Sequence, residues 1–203
     1  MKRNLVQENI KEKIVTDPKD MLYSLSDFFD YGNYNAVKKA VSRLVADGNL
    51  EKVKRGMYKR PTYNEFIGET MAPSPTEVAN KIAAQNRWTI VPSKDTALNA
   101  LGLTTQVPAT YSFITDGKDK EEVLGNGVKL TFKHVPQREI TGMSYKSALV
   151  IEAIKAMGKD NIDELAKKKL NNSLTKMEKE RLLKDVKTSR VWLAEEIRKL
   201  IEV

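Results

Sequence analysis

The chain has 203 residues, enough for two small domains or one large one. Lys and Arg total 35 against 27 Asp and Glu, and the resulting net charge of +8 favours polyanionic partners. Because the sequence has no cysteine, it excludes a disulfide scaffold, a thiolate nucleophile and a cysteine-based metal site. It also has no apolar run of about 18 residues and no apolar signal-peptide region. We therefore expect a soluble cytoplasmic protein with no membrane partner.

The first half of the N-terminal region predicts three short elements. Apolar residues at helical spacing predict a helix over residues 4–15 that ends at Asp17-Pro18. Residues 21–23 follow as a short strand. Ser24 then caps a brief helix that Gly32 stops.

A longer helix and a hairpin complete this region. Asn33 is a good N-cap, and the helix after it has apolar positions at Val37, Ala40, Val41, Leu44 and Val45. Residues 50–53 and 57–59 then flank the turn Lys54-Arg55-Gly56 as a hairpin. The order of elements is that of a winged helix-turn-helix, with the helix after Asn33 placed for DNA recognition and the hairpin as the wing.

The segment 71–75, Met-Ala-Pro-Ser-Pro, is the best candidate for a domain boundary, because its two prolines disfavour helix and strand alike. We expect a DNA-binding domain over residues 1–70 and a second domain over residues 71–203. In the second domain, helical patterns and strand patterns alternate up to residue 135, and the chain looks helical from Ser144 onward. The predicted fold class is α+β, a winged helix-turn-helix followed by a mixed α/β domain that ends in a helical bundle.

The helix after Asn33 is the most informative segment for function. Its N-terminal end would enter the major groove, where Asn pairs with adenine and Arg with guanine. Between Asn33 and Arg60 there are eight basic residues and two acidic ones, which gives a local net charge of +6. We predict DNA contacts from the helix and the wing, through Asn33, Tyr34, Asn35, Lys38, Lys39, Ser42, Arg43, Lys52, Lys54, Arg55, Lys59 and Arg60.

Two alternatives stay open for these residues. The helix could simply present a solvated basic face. At the tip of the wing, Lys54 and Arg55 could be solvated turn residues, or Arg55 could reach an adjacent minor groove, where narrow A·T tracts attract guanidinium groups.

The sequence carries no pattern typical of an enzyme. His134 is the only histidine and lies in a strand pattern, so a packed or surface histidine is favoured over a metal ligand. There is no G-x-S-x-G elbow and no Walker A loop, and Gly125-Asn126-Gly127 is typical of a turn. We predict no catalytic residue, no metal site and no cofactor.

Several stretches resemble a known family. Residues 24–28 (SLSDF), 35–44 (NAVKKAVSRL) and 48–58 (GNLEKVKRGMY) look like the N-terminal domain of the AbiEi antitoxins. Those are the antitoxins of bacterial type IV toxin–antitoxin pairs linked to abortive phage infection. Residues 97–108 (ALNALGLTTQVP) look like the start of that family's second domain. The resemblance covers most of the chain and weakens after about Gly142.

The resemblance implies two activities. Members of the family repress their own operon by binding inverted repeats in double-stranded promoter DNA. They also counter a nucleotidyltransferase-type toxin without forming a stable complex with it, and this antitoxin activity is associated with the C-terminal domain. DNA contact carries over to the helix and wing residues named above, whereas no short motif carries antitoxicity to individual residues.

Two other functions compete with an autorepressing antitoxin. One is a winged-helix transcriptional regulator whose C-terminal domain binds a ligand or mediates dimerisation. The other is an interaction module in which the winged helix contacts protein rather than DNA. A deep pocket in the C-terminal domain would favour the first, and the absence of DNA binding even at low salt would favour the second.

Overall fold

A computed structural model describes residues 2–66, 68–159 and 161–202 of the chain. The protein is α+β, which confirms the predicted fold class. It divides into two compact units. The first contains the residues up to Lys81 together with Leu124–Asn126, and the second contains Ile82–Val123 and the chain from Gly127 onward.

The first unit contains the elements of a winged helix-turn-helix. In chain order they are helix α1 (Lys2–Thr16), strand β1 (Leu22–Tyr23), a 3₁₀ helix (Leu25–Tyr31), helix α2 (Tyr34–Ala46), strand β2 (Glu51–Lys54) and strand β3 (Met57–Lys59). The strands form an antiparallel sheet in the order β1-β3-β2, with β2 and β3 as the hairpin. The sequence predicted each of these elements to within a few residues.

The sequence of α2 provides both an N-terminal cap and an apolar face that packs into the core. The Asn33 side chain accepts a hydrogen bond from the Ala36 amide at 3.0 Å, which satisfies one of the free N–H groups of the first turn. The apolar positions of α2 pack with those of α1 and the 3₁₀ helix in one buried cluster, whose members include Ile10, Ile14, Phe28, Val37, Val41 and Leu44. Burial of this face leaves the other face of α2 in solvent.

The link to the next helix contains a small hairpin that the sequence did not predict. Strands β4 (Tyr63–Asn64) and β5 (Glu69–Thr70) pair antiparallel. Helix α3 (Pro75–Asn86) follows, and a reciprocal cap between Ser74 and Glu77 starts it. The predicted boundary, after residue 70, falls where β5 ends, whereas the first compact unit continues to Lys81 within α3.

The second unit has a four-stranded sheet followed by helices. The sheet is formed by β6 (Ile90–Ser93), β7 (Thr110–Thr115), β8 (Lys120–Val123) and β9 (Lys129–His134), in the order β6-β7-β9-β8. Strands β7 and β9 are parallel, and the other two pairings are antiparallel. Helix α4 (Lys94–Ala100) connects β6 to β7.

The remaining helices confirm the predicted helical end of the chain. They are α5 (Tyr145–Met157), α6 (Glu164–Asn172), α7 (Lys176–Asp185) and α8 (Val191–Glu202). Their apolar faces share a buried cluster that includes Ile151, Ile154, Leu182, Leu193 and Ile197. None of the helices in the described ranges is both long and apolar enough to cross a bilayer.

Candidate nucleic-acid interface

The solvent-facing side of α2 is cationic. Opposite the buried positions, the helix exposes Asn35, Lys38, Lys39, Ser42 and Arg43. The helix carries no acidic residue. Within the described residues, Lys38, Lys39 and Arg43 form no ion pair, so their charges face solvent without a carboxylate partner. Such a face can bind phosphate oxygens and base edges in the major groove.

Two asparagines near the start of α2 have different roles. Asn33 is exposed, but its side-chain oxygen is engaged by the Ala36 amide in the cap. A bidentate contact to adenine needs both the oxygen and the amide nitrogen of the side chain, and the cap already holds the Asn33 oxygen against the first turn of α2. Asn35 is also exposed, and its side chain has no partner within the described residues. Asn35 is therefore the better placed of the two for reading a base.

An aromatic cluster lies beside the cationic face, and one of its members was missed in the sequence. The Tyr34 side chain is 54% exposed, and its ring packs edge to face on Phe29 at 6.4 Å between centroids. Lys38 Nζ lies 5.9 Å from the centroid of the Tyr34 ring. The signal for Phe29 was the doublet Phe28-Phe29, because a short helix buries only one of two consecutive side chains. Phe28 is buried and Phe29 is 46% exposed.

The wing ends in a tight turn. Lys54 of β2 is opposite Met57 of β3, so Arg55 and Gly56 alone form the tip. Gly56 has a φ of +77°, a left-handed conformation that glycine adopts without steric cost. Arg55 and Lys52 are exposed and form no ion pair within the described part of the chain, whereas Lys54 is half-buried. Lys52 and Arg55 are therefore the two wing cations most available to a phosphate.

Lys59 does not belong to this surface, and its assignment as a DNA contact is corrected. Its side chain is 2% exposed. The ammonium group donates to the carbonyl oxygen of Met71 and lies 3.3 Å from Glu51 Oε1. A buried ammonium needs such partners because desolvation would otherwise disfavour its charge. Lys59 therefore ties β3 to β2 and to the chain after β5.

Arg60 is also directed elsewhere. Its Nη1 donates to the Val15 carbonyl at 3.4 Å, in the last turn of α1. A cation at the C-terminal end of a helix is stabilised by the free carbonyl groups there. Arg60 is half-buried in this position, so its contact with α1 accounts for its charge without DNA.

The 3₁₀ helix that precedes α2 is braced by one carboxylate. Asp27 Oδ2 accepts from the Ser24 amide at 2.7 Å and lies 2.5 Å from Lys81 Nζ in the part of α3 that belongs to the first unit. Burial alone would raise the pKa of Asp27, but the hydrogen bonds from Lys81 and Ser24 outweigh it and lower the pKa below its usual range. This contact fixes the turn that leads into α2.

His134 lies at the surface of the second unit. Its Nδ1 is 2.7 Å from the Gly117 carbonyl oxygen, and its backbone amide donates to Asp119 Oδ1 at 2.6 Å. A hydrogen bond from Lys133, and then the one from the His134 amide, lower the pKa of Asp119. Among the described residues, no three His, Asp or Glu side chains come together in a group that could hold a metal ion.

Comparison with known proteins places the chain in a family. A search of the curated proteins finds no match to the sequence. A family profile described as a family of unknown function (DUF6088) matches residues 9–182. This range covers α2, the wing and the second unit as far as α7. The chain therefore belongs to the DUF6088 family.

Proposed function

We propose that this protein is the antitoxin of a type IV toxin–antitoxin system, and that it represses its own operon by binding inverted repeats in promoter DNA. The observation that carries the DNA-binding part is the exposed face of α2, which presents Asn35 and three cations without a carboxylate partner among the described residues. The antitoxin part rests on the resemblance to the AbiEi family. Both activities belong to the cytoplasm.

The chemistry of the exposed face suits a DNA duplex. Lys38 and Lys39 supply ammonium groups for phosphate oxygens, and Arg43 has a planar fork that fits either a phosphate or the O6 and N7 of guanine. Lys52 and Arg55 of the wing extend the cationic surface beyond the helix. Log affinity falls linearly with log salt, and each phosphate that a protein neutralises makes this slope steeper by about 0.9. These five cations would therefore give binding that weakens steeply with salt.

Tyr34 and Phe29 add an apolar component to this surface. Their half-exposed rings lie where α2 begins, next to Lys38. Aromatic and methyl groups make apolar contacts with the thymine methyl group in the major groove. Inverted repeats would require two copies of the chain, with the recognition helices about 34 Å apart or a multiple of that distance.

The antitoxin activity would belong to the second unit. In the AbiEi family it is associated with the C-terminal domain, and a stable complex with the nucleotidyltransferase toxin is not part of it. The proposal therefore assigns repression to the first unit and toxin neutralisation to the second.

A two-part assay in cells tests this division. The first part measures a reporter under the protein's own promoter, and the second measures growth during co-expression with a nucleotidyltransferase toxin. The toxin in this assay is the cognate nucleotidyltransferase that the proposal implies. We expect the variant Lys38→Ala/Lys39→Ala/Arg43→Ala to lose repression and to protect fully against it. Failure of the wild-type protein to protect would refute the antitoxin role, and repression by the triple variant would refute the role of α2.

One observation favours a second function. The second unit contains a cavity lined by charged and apolar side chains, which suits a winged-helix regulator whose C-terminal domain binds a ligand. Under this alternative the triple variant again loses repression, but the wild-type protein gives no protection against the toxin. The two functions are thus separated by the growth assay.

A further inference from the structure

The second unit contains a cavity of about 310 Å³ where three segments of the chain meet. The 3₁₀ helix Gln137–Glu139 supplies one wall, and α5 supplies a second. The third is formed by Ser189 and Arg190, which come directly before α8. A volume of this size is at the lower end of the range for small-molecule sites, about 300–1,000 Å³.

Three cationic residues, Arg138, Lys155 and Arg190, line this cavity together with the acidic residue Glu139. Lys155 is the most neutralised of them, because its Nζ lies 2.8 Å from Glu152 Oε1 and 3.6 Å from Glu139 Oε2. Arg138 and Arg190 are exposed and differ from it. Neither guanidinium has a hydrogen bond or an ion pair with any residue in the described parts of the chain. The two arginines are 52 positions apart in the sequence, and the fold brings them to one cavity.

The floor of the cavity is apolar. Ile151 and Leu193 line it and are 3% and 1% exposed, and Met143 lines it beside them. Ile151 and Leu193 belong to the buried cluster of the helical end and Met143 packs against it, so the floor is formed by the packing of α5 against α8. Ser189 also lines the cavity, and its hydroxyl can donate a hydrogen bond. The cavity thus combines charged residues, with cations in excess, and a buried apolar floor.

We propose that this cavity binds a small organic phosphate, with Arg138 and Arg190 holding the phosphate group and the apolar floor holding the organic part. Guanidinium forks match phosphate oxygens in bidentate geometry, and two unpaired forks can neutralise a phosphate dianion. The α8 N-terminus beside Arg190 adds a favourable field for an anion. The site goes beyond the proposed antitoxin and repressor functions, and for the alternative regulator it names the class of ligand.

Calorimetric titration of the full chain, without DNA, tests the site with three probes. They are adenosine 5′-monophosphate, inorganic phosphate and adenosine, which separate the whole ligand from its two parts. We expect the nucleotide to bind about tenfold or more tighter than either part, because both the ion pairs and the apolar contact are needed. Equal affinity for the nucleotide and inorganic phosphate would overturn the organic part of the proposal. Equal affinity for the nucleotide and adenosine, or no binding at all, would overturn the site.

Two matched variants locate the binding. Arg138→Gln/Arg190→Gln should weaken nucleotide affinity by about tenfold or more. Lys168→Gln/Lys169→Gln removes the same charge from exposed positions on α6 and should leave the affinity within about twofold. An equal loss of nucleotide affinity in both variants would mean that binding depends on the overall charge of the protein, and it would overturn the site.

A second measurement needs no substitution. In the wild-type protein, addition of the nucleotide should shift the backbone amide resonances of residues 137–139 and 189–193 more than those of α6. Shifts confined to other parts of the chain would contradict the site even if the arginine variant failed to fold. Because DNA is absent from both experiments, their outcome does not depend on operator binding.

Discussion

At the scale of single residues, Lys59 and Lys52 lie on the same hairpin in opposite environments. Lys59 is buried against the Met71 carbonyl and Glu51, and Lys52 is exposed. Lys59→Ala leaves both partners of Lys59 without a hydrogen-bond donor. We expect it to lower the free energy of unfolding by about 1–3 kcal/mol, measured by denaturant unfolding, and to leave the operator affinity of the folded protein unchanged.

Lys52→Ala should do the reverse. The free energy of unfolding should change by no more than about 0.5 kcal/mol, and the slope of log operator affinity against log salt should become shallower by about 1. Filter binding at several salt concentrations measures the slope for both variants. A shallower slope of log operator affinity against log salt for folded Lys59→Ala would mean that Lys59 does contact the DNA.

Asp27 makes the stability of the first unit depend on pH. The pKa of Asp27 is lowered in the folded protein. The contribution of its carboxylate to the free energy of unfolding is therefore fully present above the ordinary Asp pKa of the unfolded chain. The contribution is lost as pH falls through the lowered folded pKa. Asp27→Asn removes the charge, and we expect it to reduce the free energy of unfolding by about 1 kcal/mol at pH 7. Because the wild-type carboxylate is protonated in acid, the difference should shrink there.

Asp30→Asn is the matched control for this measurement. Asp30 lies on the same 3₁₀ helix, is exposed, and has no hydrogen bond to any residue that the structure describes. Denaturant unfolding between pH 7 and pH 3 should show little effect of Asp30→Asn at any pH. A difference between wild-type protein and Asp27→Asn that stays constant with pH would mean that the Asp27 carboxylate does not act through its charge.

At the scale of elements, α2 and β8 show what a single sequence reveals. Helix α2 has a side-chain cap and four buried positions at helical spacing, and its sequence contains no pattern that favours a strand or a turn. Its bounds therefore follow from the sequence. Strand β8 has the sequence Lys-Glu-Glu-Val and lies at the edge of its sheet. Edge strands carry charged residues and few buried apolar ones, so no alternating pattern marks them. Strands β4 and β5 have two residues each, which is too few to show the alternation of apolar and polar residues that marks a strand.

The exposed face of α2 should act as one unit in DNA binding. Replacing Lys38, Lys39 and Arg43 together with Ala removes three charges from one helix, and alanine favours the helical state. We expect operator affinity in a mobility-shift assay to fall by about 100-fold or more, with an unchanged circular dichroism spectrum. Specific binding by the folded variant at wild-type strength would place the interface elsewhere.

Lys168→Ala/Lys169→Ala/Lys184→Ala is the control for that variant. It removes the same net charge from exposed helical positions of the second unit. If binding depended only on the overall charge of +8, both triple variants would weaken it equally. The proposed interface predicts that the control binds the operator within about twofold of wild type.

At the scale of the whole molecule, the sequence predicts surfaces made by one element and misses those made by several. The cations of α2 follow from helical periodicity alone. The burial of Lys59 depends on Met71, twelve positions away, and a lysine in a three-residue strand looks like a surface residue. Arg138 and Arg190 meet only through the packing of the helical end, which no local pattern encodes.

Specific DNA binding is the central claim, and a salt-titrated mobility-shift assay tests it most directly. The purified full chain is titrated against the DNA upstream of its own gene and against scrambled DNA of the same length. We predict a shift at an inverted repeat that is preferred over scrambled DNA and weakens steeply as salt rises. Equal binding to both DNAs at low salt, or binding to neither, would contradict the account and leave the cationic face of α2 as a surface for another partner.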